Sequence, residues 1–423
     1  MVYKQYNNGS YKIHTIKTDR FKNIQIEVVF KNNIDRERVA KRTALFDLLL
    51  ETSEFYKTKR EVILKQEELY NSLVFSSTYR LGNLVLTSIA MDMLNPKYAE
   101  YNYLPEALEF YFSLLFNPNI KDEEFDESTL NTIKNRLISD IKSLKEDPGR
   151  FSMFRALNNM DNNSVSSINV NGTIEEVEAI TPSNLYKEYL EIFKHDYIDI
   201  FVIGDFDENE MVDLITKYAK FNTIKNHELN LYVNNITRKK VNKVVEESTN
   251  AQSTLVSIYN TVDLTDYEKK YVSHIYNMIL GGGSLNTKLY SNLRNDNSLC
   301  YFARSNYQKY DNLLIVTTSV DRSNTKIALS LIDKTIKEML NKVTDEDVAN
   351  AISSKIASLN MIYDIPGRII DEYLFRDITG IDDLETRIEE YKKITKEDVM
   401  SMAKKISVNT IYVLEGEEQH EED

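Results

Sequence analysis

The feature that most constrains this chain is a long internal repeat. Ile180-Thr181-Pro182-Ser183-Asn184 opens a helical pattern that leads to an apolar strand over 198–203 and then to Gly204-Asp205. Ile394-Thr395-Lys396-Glu397-Asp398 opens a second such pattern, with a strand over 410–414 and then Glu415-Gly416. Ile180 and Ile394 stand 214 residues apart. A second pair agrees: Asp147-Pro148-Gly149-Arg150 matches Pro366-Gly367-Arg368, with arginines 218 residues apart. Two separate pairs at nearly one offset imply a duplicated unit of roughly 210 residues, a period far too long for a solenoid. The division falls in the polar, Asn-rich segment 226–245. It joins a first half, 1–225, to a second, 246–423.

Each half mixes strands and helices. Ile24, Ile26, Val28 and Phe30 alternate with Asn23, Gln25 and Glu27, the pattern of a half-buried strand. Segments 73–80 and 84–91 flank Gly82-Asn83 and read as a hairpin. In the second half 254–260 reads as a strand, and 299–307 and 313–319 as a strand pair carrying Tyr301 on its first member. Segment 126–145 carries Leu130, Ile133, Leu137, Ile141 and Leu144 on one helical face. The expected class is α+β: two homologous halves, each a mainly antiparallel sheet with long helices packed on one side.

Charge and composition remove several functions. Of 423 residues, 66 are acidic and 52 basic, a net charge of −14, so nucleic acid is repelled by most of the surface. The basic run Arg238-Lys239-Lys240 with Lys243 is too small to reverse this and reads as a solvated strand edge. The single cysteine, Cys300, excludes an intrachain disulfide and Cys-rich zinc sites. The densest apolar stretch, 44–50, has seven residues with a charge inside it, whereas a membrane span needs about 20. A cytoplasmic protein is the expectation. The acidic tail 415–423 reads as disordered.

The chemistry is notable for what is missing. The five histidines, His14, His195, His227, His274 and His420, include no pair within four residues, so no helix presents two imidazoles to a metal. Each reads as a surface or core residue. Neither a nucleophile elbow nor a phosphate-binding Gly-x-x-x-x-Gly-Lys loop is present. Two carboxylates stand out. Asp47 is the only charge in a helical segment that is otherwise apolar all round, and Asp140 falls on the Leu137/Leu144 face of its helix. Both read as buried, and a buried carboxylate is costly unless paired. A third feature is Gly281-Gly282-Gly283. A helical pattern follows it, with Leu285, Leu289 and Leu293, then Arg294, a short polar link and Tyr301. Arg and Tyr placed this way can donate hydrogen bonds to a peptide carbonyl or a carboxylate.

This segment resembles the C-terminal signature of the insulinase/pitrilysin zinc metallopeptidases, in their mitochondrial-processing-peptidase-like branch. There a Gly-rich stretch precedes a helix ending Leu-Arg, and a Leu-small-Tyr strand follows. Here it stands as Leu293-Arg294-Asn295-Asp296-Asn297-Ser298-Leu299-Cys300-Tyr301, with Ser298 where glycine is usual. Phe201-Val202-Ile203-Gly204-Asp205 resembles the family's strand ending in Gly-Asp, and the repeat matches its two halves per chain. The family's catalytic motif is His-x-x-Glu-His on a first-half helix, with a distal Glu. On that pattern Ala44 and Leu48 stand at the two histidines, Asp47 at the Glu and Asp140 at the distal Glu. Both imidazole ligands are gone, so no zinc is expected in this chain.

The resemblance implies half of a clam-like chamber. It also implies a partner: a zinc-bearing chain of the same family with an intact His-x-x-Glu-His. The reading is therefore a non-catalytic, substrate-binding subunit of a heterodimeric zinc peptidase, inactive alone. Arg294 and Tyr301 would act in trans on a peptide, and Gly281–Gly283 would lie near its entry. The rival reading is a non-enzymatic scaffold or peptide-binding protein of the same fold.

Overall fold

The computed structural model describes residues 1–224, 227–283 and 286–417. In the first half, β1 (Val2–Asn7), β2 (Tyr11–Lys17), β3 (Asn23–Asn33), β4 (Leu73–Leu81), β5 (Leu84–Leu94) and β6 (Tyr197–Gly204) form one sheet, in the order β1-β2-β6-β3-β5-β4. In the second half, β7 (Asn242–Glu247), β8 (Ser253–Thr261), β9 (Ala303–Gln308), β10 (Leu313–Val320) and β11 (Ile406–Glu415) form another, in the order β9-β10-β8-β11-β7. Read from its other edge, the second order is β7-β11-β8-β10-β9. It matches β2-β6-β3-β5-β4 strand for strand. Each sheet contains one parallel pair, β2 with β6 and β7 with β11, and is otherwise antiparallel. The duplication read from the sequence is thus a duplication of topology.

The repeated sequence words are helix starts. Helices α1 (Arg36–Leu49), α2 (Leu104–Phe116), α3 (Glu127–Ser143), α4 (Pro148–Met160), α5 (Pro182–His195), α6 (Asp345–Asn360), α7 (Pro366–Thr379) and α8 (Lys396–Ala403) are the main ones. Thr181 and Thr395 each cap a helix reciprocally with the residue three places on, Asn184 for α5 and Asp398 for α8. Such a box satisfies two otherwise orphaned backbone donors. Asp147 caps α4, with Pro148 at the first helical position, where its missing N–H costs nothing.

In the first unit the even-numbered side chains of β3, Ile24 to Phe30, pack onto α1 and α2. Tyr111 ties α2 to the sheet: its hydroxyl donates to the Ile89 carbonyl (2.5 Å) and accepts from the Val28 amide (3.1 Å). In the second unit Leu255, Tyr259, Leu314, Val316 and Val413 pack with Tyr276, Leu289, Leu293, Val348 and Val399. The other face of this sheet is covered as well, by Ala156, Leu157 and Met160 of α4 against Val256, Ile258, Ile315 and Tyr412.

The two compact units do not follow chain order. One comprises Met1–Lys142, Ile168–Leu231 and Asp364–Glu372, and the other Ser143–Ser167, Tyr232–Tyr363 and Tyr373–Asp423. Each half therefore lends one stretch, and both stretches contain a Pro-Gly-Arg word of the repeat. The main crossing, between Leu231 and Tyr232, falls inside the segment 226–245.

Most strands lie where the alternation puts them. Tyr301 is a correction: β9 begins only at Ala303, so Tyr301 sits in the link before the strand. The pairing of β9 with β10 begins at Ala303, opposite Thr318, so the link that carries Tyr301 lies outside the ladder. Leu285 and residues 418–423 of the acidic tail lie outside the described residues, while Glu415 ends β11.

Candidate functional site

Ala44 and Leu48 lie on the inner face of α1, sealed in the first unit's core. A methyl and an isobutyl group carry no lone pair, so neither position can ligate a metal. Asp47 is not fully buried, contrary to the sequence expectation. Its carboxylate accepts from the Ser76 hydroxyl on β4 (2.7 Å) and pairs with the Arg136 guanidinium on α3 (2.8 Å). Arg136 also reaches Glu51 (3.8 Å), which Lys59 approaches from the other side (3.3 Å). Asp140 is a second correction: it is exposed. The fully buried residues of α3 are Leu130, Ile133 and Leu137; Ile138 and Ile141 are only partly buried against the same core, and Leu144 lies in the following 3-10 turn.

The residues at these positions do not fit a zinc ion. Two of the four carry no ligand atom, the third is held by a guanidinium, and the fourth faces solvent. Among the described residues there is no group of three or more His, Cys, Asp or Glu side chains disposed to hold a metal. Arg136 and Ser76 were not found from the sequence. Arg136 lies one turn before Asp140 on the same helix, which is the one signal that could have raised it.

His14 is a core residue. Its ring stacks on Phe201 (4.2 Å between centroids), and its Nδ1 meets the Tyr3 hydroxyl (2.8 Å). On its other side Asp199 pairs with buried Lys31. Burial would raise the Asp199 carboxyl, but Lys31 and His14 hold it well below the usual carboxylate range.

The segment around Gly281 belongs to the second unit. The helical run through 268–282 has two wide π turns, Glu268–Val272 and Met278–Gly282, around one α turn. Such widened turns are rare and concentrate at functional sites. Gly281 is buried where a Cβ would stand 2.7 Å from Leu289 Cδ1 and 2.8 Å from the Ser305 amide nitrogen. Only glycine lets this turn touch β9. Gly283 lines a polar cleft of about 220 Å³ with Asn286, Thr287, Asp347 and Asn350.

Arg294 lies one residue before the end of a third π turn, Ser291–Asn295. Its guanidinium lies over the Tyr301 ring, 4.7 Å from the centroid. The structure therefore brings the two sequence-predicted residues together. Tyr301 is 78% exposed, unusual for a side chain with so large an apolar face. Ser298, between them, has φ of +54°, a left-handed conformation that disfavours a Cβ. This explains why glycine suits that position.

The fold is that of M16-type half-chambers, and the positions that the resemblance aligns with the catalytic motif hold no set of zinc ligands. The family described as Peptidase M16 inactive domain matches residues 179–355. The chain is 26% identical over 423 residues, 97% of each chain, to the "Probable inactive metalloprotease YmfF" of Bacillus subtilis. Among solved structures, a conserved protein from Enterococcus faecalis superposes with a TM-score of 0.91 at 24% identity, covering 99% of this chain and 100% of that one. A peptidase M16 inactive domain from Pseudomonas fluorescens gives 0.79 at 14% identity, with 99% of each chain covered. Residues 179–355 thus match the M16 inactive-domain family, and the chain as a whole is similar to M16 proteins described as inactive.

Proposed function

We propose that this protein is the peptide-binding, non-catalytic subunit of a two-chain cytoplasmic peptidase, working beside a zinc-bearing M16 chain. The observation that carries the reading is the pairing of partly exposed Arg294 with the exposed Tyr301 ring. An arginine and a phenol held face to face at the surface offer preformed donors to a peptide carbonyl or the oxyanion that develops from it. One oxyanion donor is typically worth about 2.7–4 kcal/mol of barrier.

The second support is a sheet edge. Among the described residues β4 has β5 as its sheet partner, although the Val74 amide donates to the Gln66 side chain (3.3 Å), and Leu73 and Phe75 are exposed at 60% and 47%. An apolar edge of this kind is a template for an added strand, which reads backbone more than sequence. Ser76, on the same strand, holds Asp47, so a peptide there would run beside the former catalytic position.

The test is co-purification followed by reconstitution. A tagged chain should bring down an equal amount of a similar-sized chain carrying His-x-x-Glu-His. Arg294→Ala with Tyr301→Phe should then lower turnover by the pair at least a hundredfold while leaving the pair assembled. Full activity of that double variant would refute the reading. Isolation of the chain alone would favour the rival, a scaffold or peptide-binding protein of the same fold.

A further inference from the structure

The geometry points to a pocket in the first unit, between Lys17 and the helix Glu208–Tyr218, that binds a small zwitterion with an apolar side chain: a free amino acid or a short peptide. The pocket shares no residue with the Arg294–Tyr301 pair or with the edge of β4, and it does not rest on the reading built on them.

Four neighbouring strands have their ends together here. Lys17 closes β2 opposite Gly204, the last residue of β6, and Asn23 opens β3 opposite Leu94, the last residue of β5. Gly204 (φ +149°) permits the crowding, since a Cβ there would stand 2.9 Å from Ile24 Cγ1. Buried Asn95 ties two of the strand ends: it donates to the Asp205 carbonyl (2.5 Å) and accepts from the Lys97 amide (3.0 Å). The turn Pro96–Tyr98, the start of α2 and the start of the helix Glu208–Tyr218 complete the walls. The cavity measures about 460 Å³, within the roughly 300–1,000 Å³ of small-molecule sites.

The floor is apolar and the rim carries both signs of charge. Ile24, Leu104 and Phe206 line the cavity and are buried. On the rim Lys97 is taken by Asp205 (2.5 Å). Asp207 accepts the Glu210 amide with one carboxylate oxygen (2.9 Å), and Glu210 accepts the Asn102 side chain with one of its own (3.0 Å). The second oxygen of each has no partner among the described residues, and neither has the Lys17 ammonium.

Two ammonium groups in the lining work against a metal ion, and three carboxylates work against an anion. A ligand that carries one charge of each sign on an apolar body satisfies the whole lining. Its α-ammonium has three donors, enough for the open oxygens of Asp207 and Glu210. Such charge-assisted hydrogen bonds are roughly twice as strong as neutral ones. Its carboxylate meets Lys17, and its side chain covers Ile24, Leu104 and Phe206, removing apolar surface from water. A free amino acid and a short peptide both present this chemistry.

The experiment is calorimetric titration of the full chain with L-leucine and leucyl-leucine, and with the blocked relatives N-acetyl-leucine and leucinamide, at constant ionic strength. L-leucine or leucyl-leucine should bind saturably with a sub-millimolar dissociation constant. Which of the two binds more tightly distinguishes a free amino acid from a short peptide. Blocking either end should weaken binding at least tenfold. Glu210→Gln and Lys17→Gln should each weaken it at least tenfold, and Lys17→Gln, at an exposed position, should melt as the parent does. The variant Lys326→Gln, in the second unit, should bind as the parent does. Absence of saturable binding by both zwitterions, equal binding of blocked and unblocked probes, or equal binding by the parent and both rim variants would overturn the proposal.

Discussion

Glu27 is the residue through which the stability of the first unit should respond to pH. It lies on the face of β3 away from α1 and α2, the face that Gly367 of α7 approaches at Gln25. Burial raises its carboxyl from 4.5 to about 7, a hydrogen bond from Ser88 works against the shift, and the nearby Asp371 carboxyl adds to it. Asp371 is itself raised by burial, and the same surroundings raise the Tyr79 phenol. A shift of this size corresponds to about 3 kcal/mol. Glu27 keeps some exposure, so a contribution of about 2 kcal/mol is the working figure. The sign follows from linkage. Below pH 4.5 the group is neutral in both folded and unfolded chains and costs nothing. Above about 7 it is charged in both, and folding must desolvate the charge. Stability is therefore lost as pH rises from about 4.5 to about 7. Glu27→Gln removes the charge and keeps the shape. Urea denaturation of the parent and variant at pH 5 and pH 8 should show near-equal stability at pH 5 and a variant about 2 kcal/mol more stable at pH 8. An equal difference between the two proteins at both pH values would refute the reasoning.

Three further outcomes test the structure elsewhere. Lys31→Met should cost about 3–5 kcal/mol, because it strands Asp199 in the core without its cation; thermal denaturation reads this directly. Gly281→Ala should destabilise the second unit by about 1–3 kcal/mol, since its new methyl meets the Ser305 backbone; denaturant midpoints check it, and an unchanged midpoint would mean the close approach is not real. Ser298→Gly should stabilise by up to about 1 kcal/mol by relieving the left-handed backbone, whereas Ser298→Val should destabilise by more than that.

The local elements of this protein were written in local sequence. Period-two alternation placed β3, the Gly82 turn placed the β4–β5 hairpin, and the patterns opening at Ile180 and Ile394 placed α5 and α8, because each depends on neighbours within a few residues. The repeat carried further still, to the matching order of strands in the two sheets. The loss of both imidazoles was equally plain, since a missing side chain needs no fold to reveal it. The tertiary structure decided matters that rest on partners distant in sequence. Helical spacing assigned Asp140 to an apolar face, but full burial along this helix ends at Leu137, and no periodicity says where full burial ends. Asp47 was visible as an oddity, yet its partners, Ser76 and Arg136, come from another strand and another helix. The lending of a Pro-Gly-Arg stretch by each half could not be read from a linear division, because the covering of a sheet face is settled by packing after the chain has crossed over.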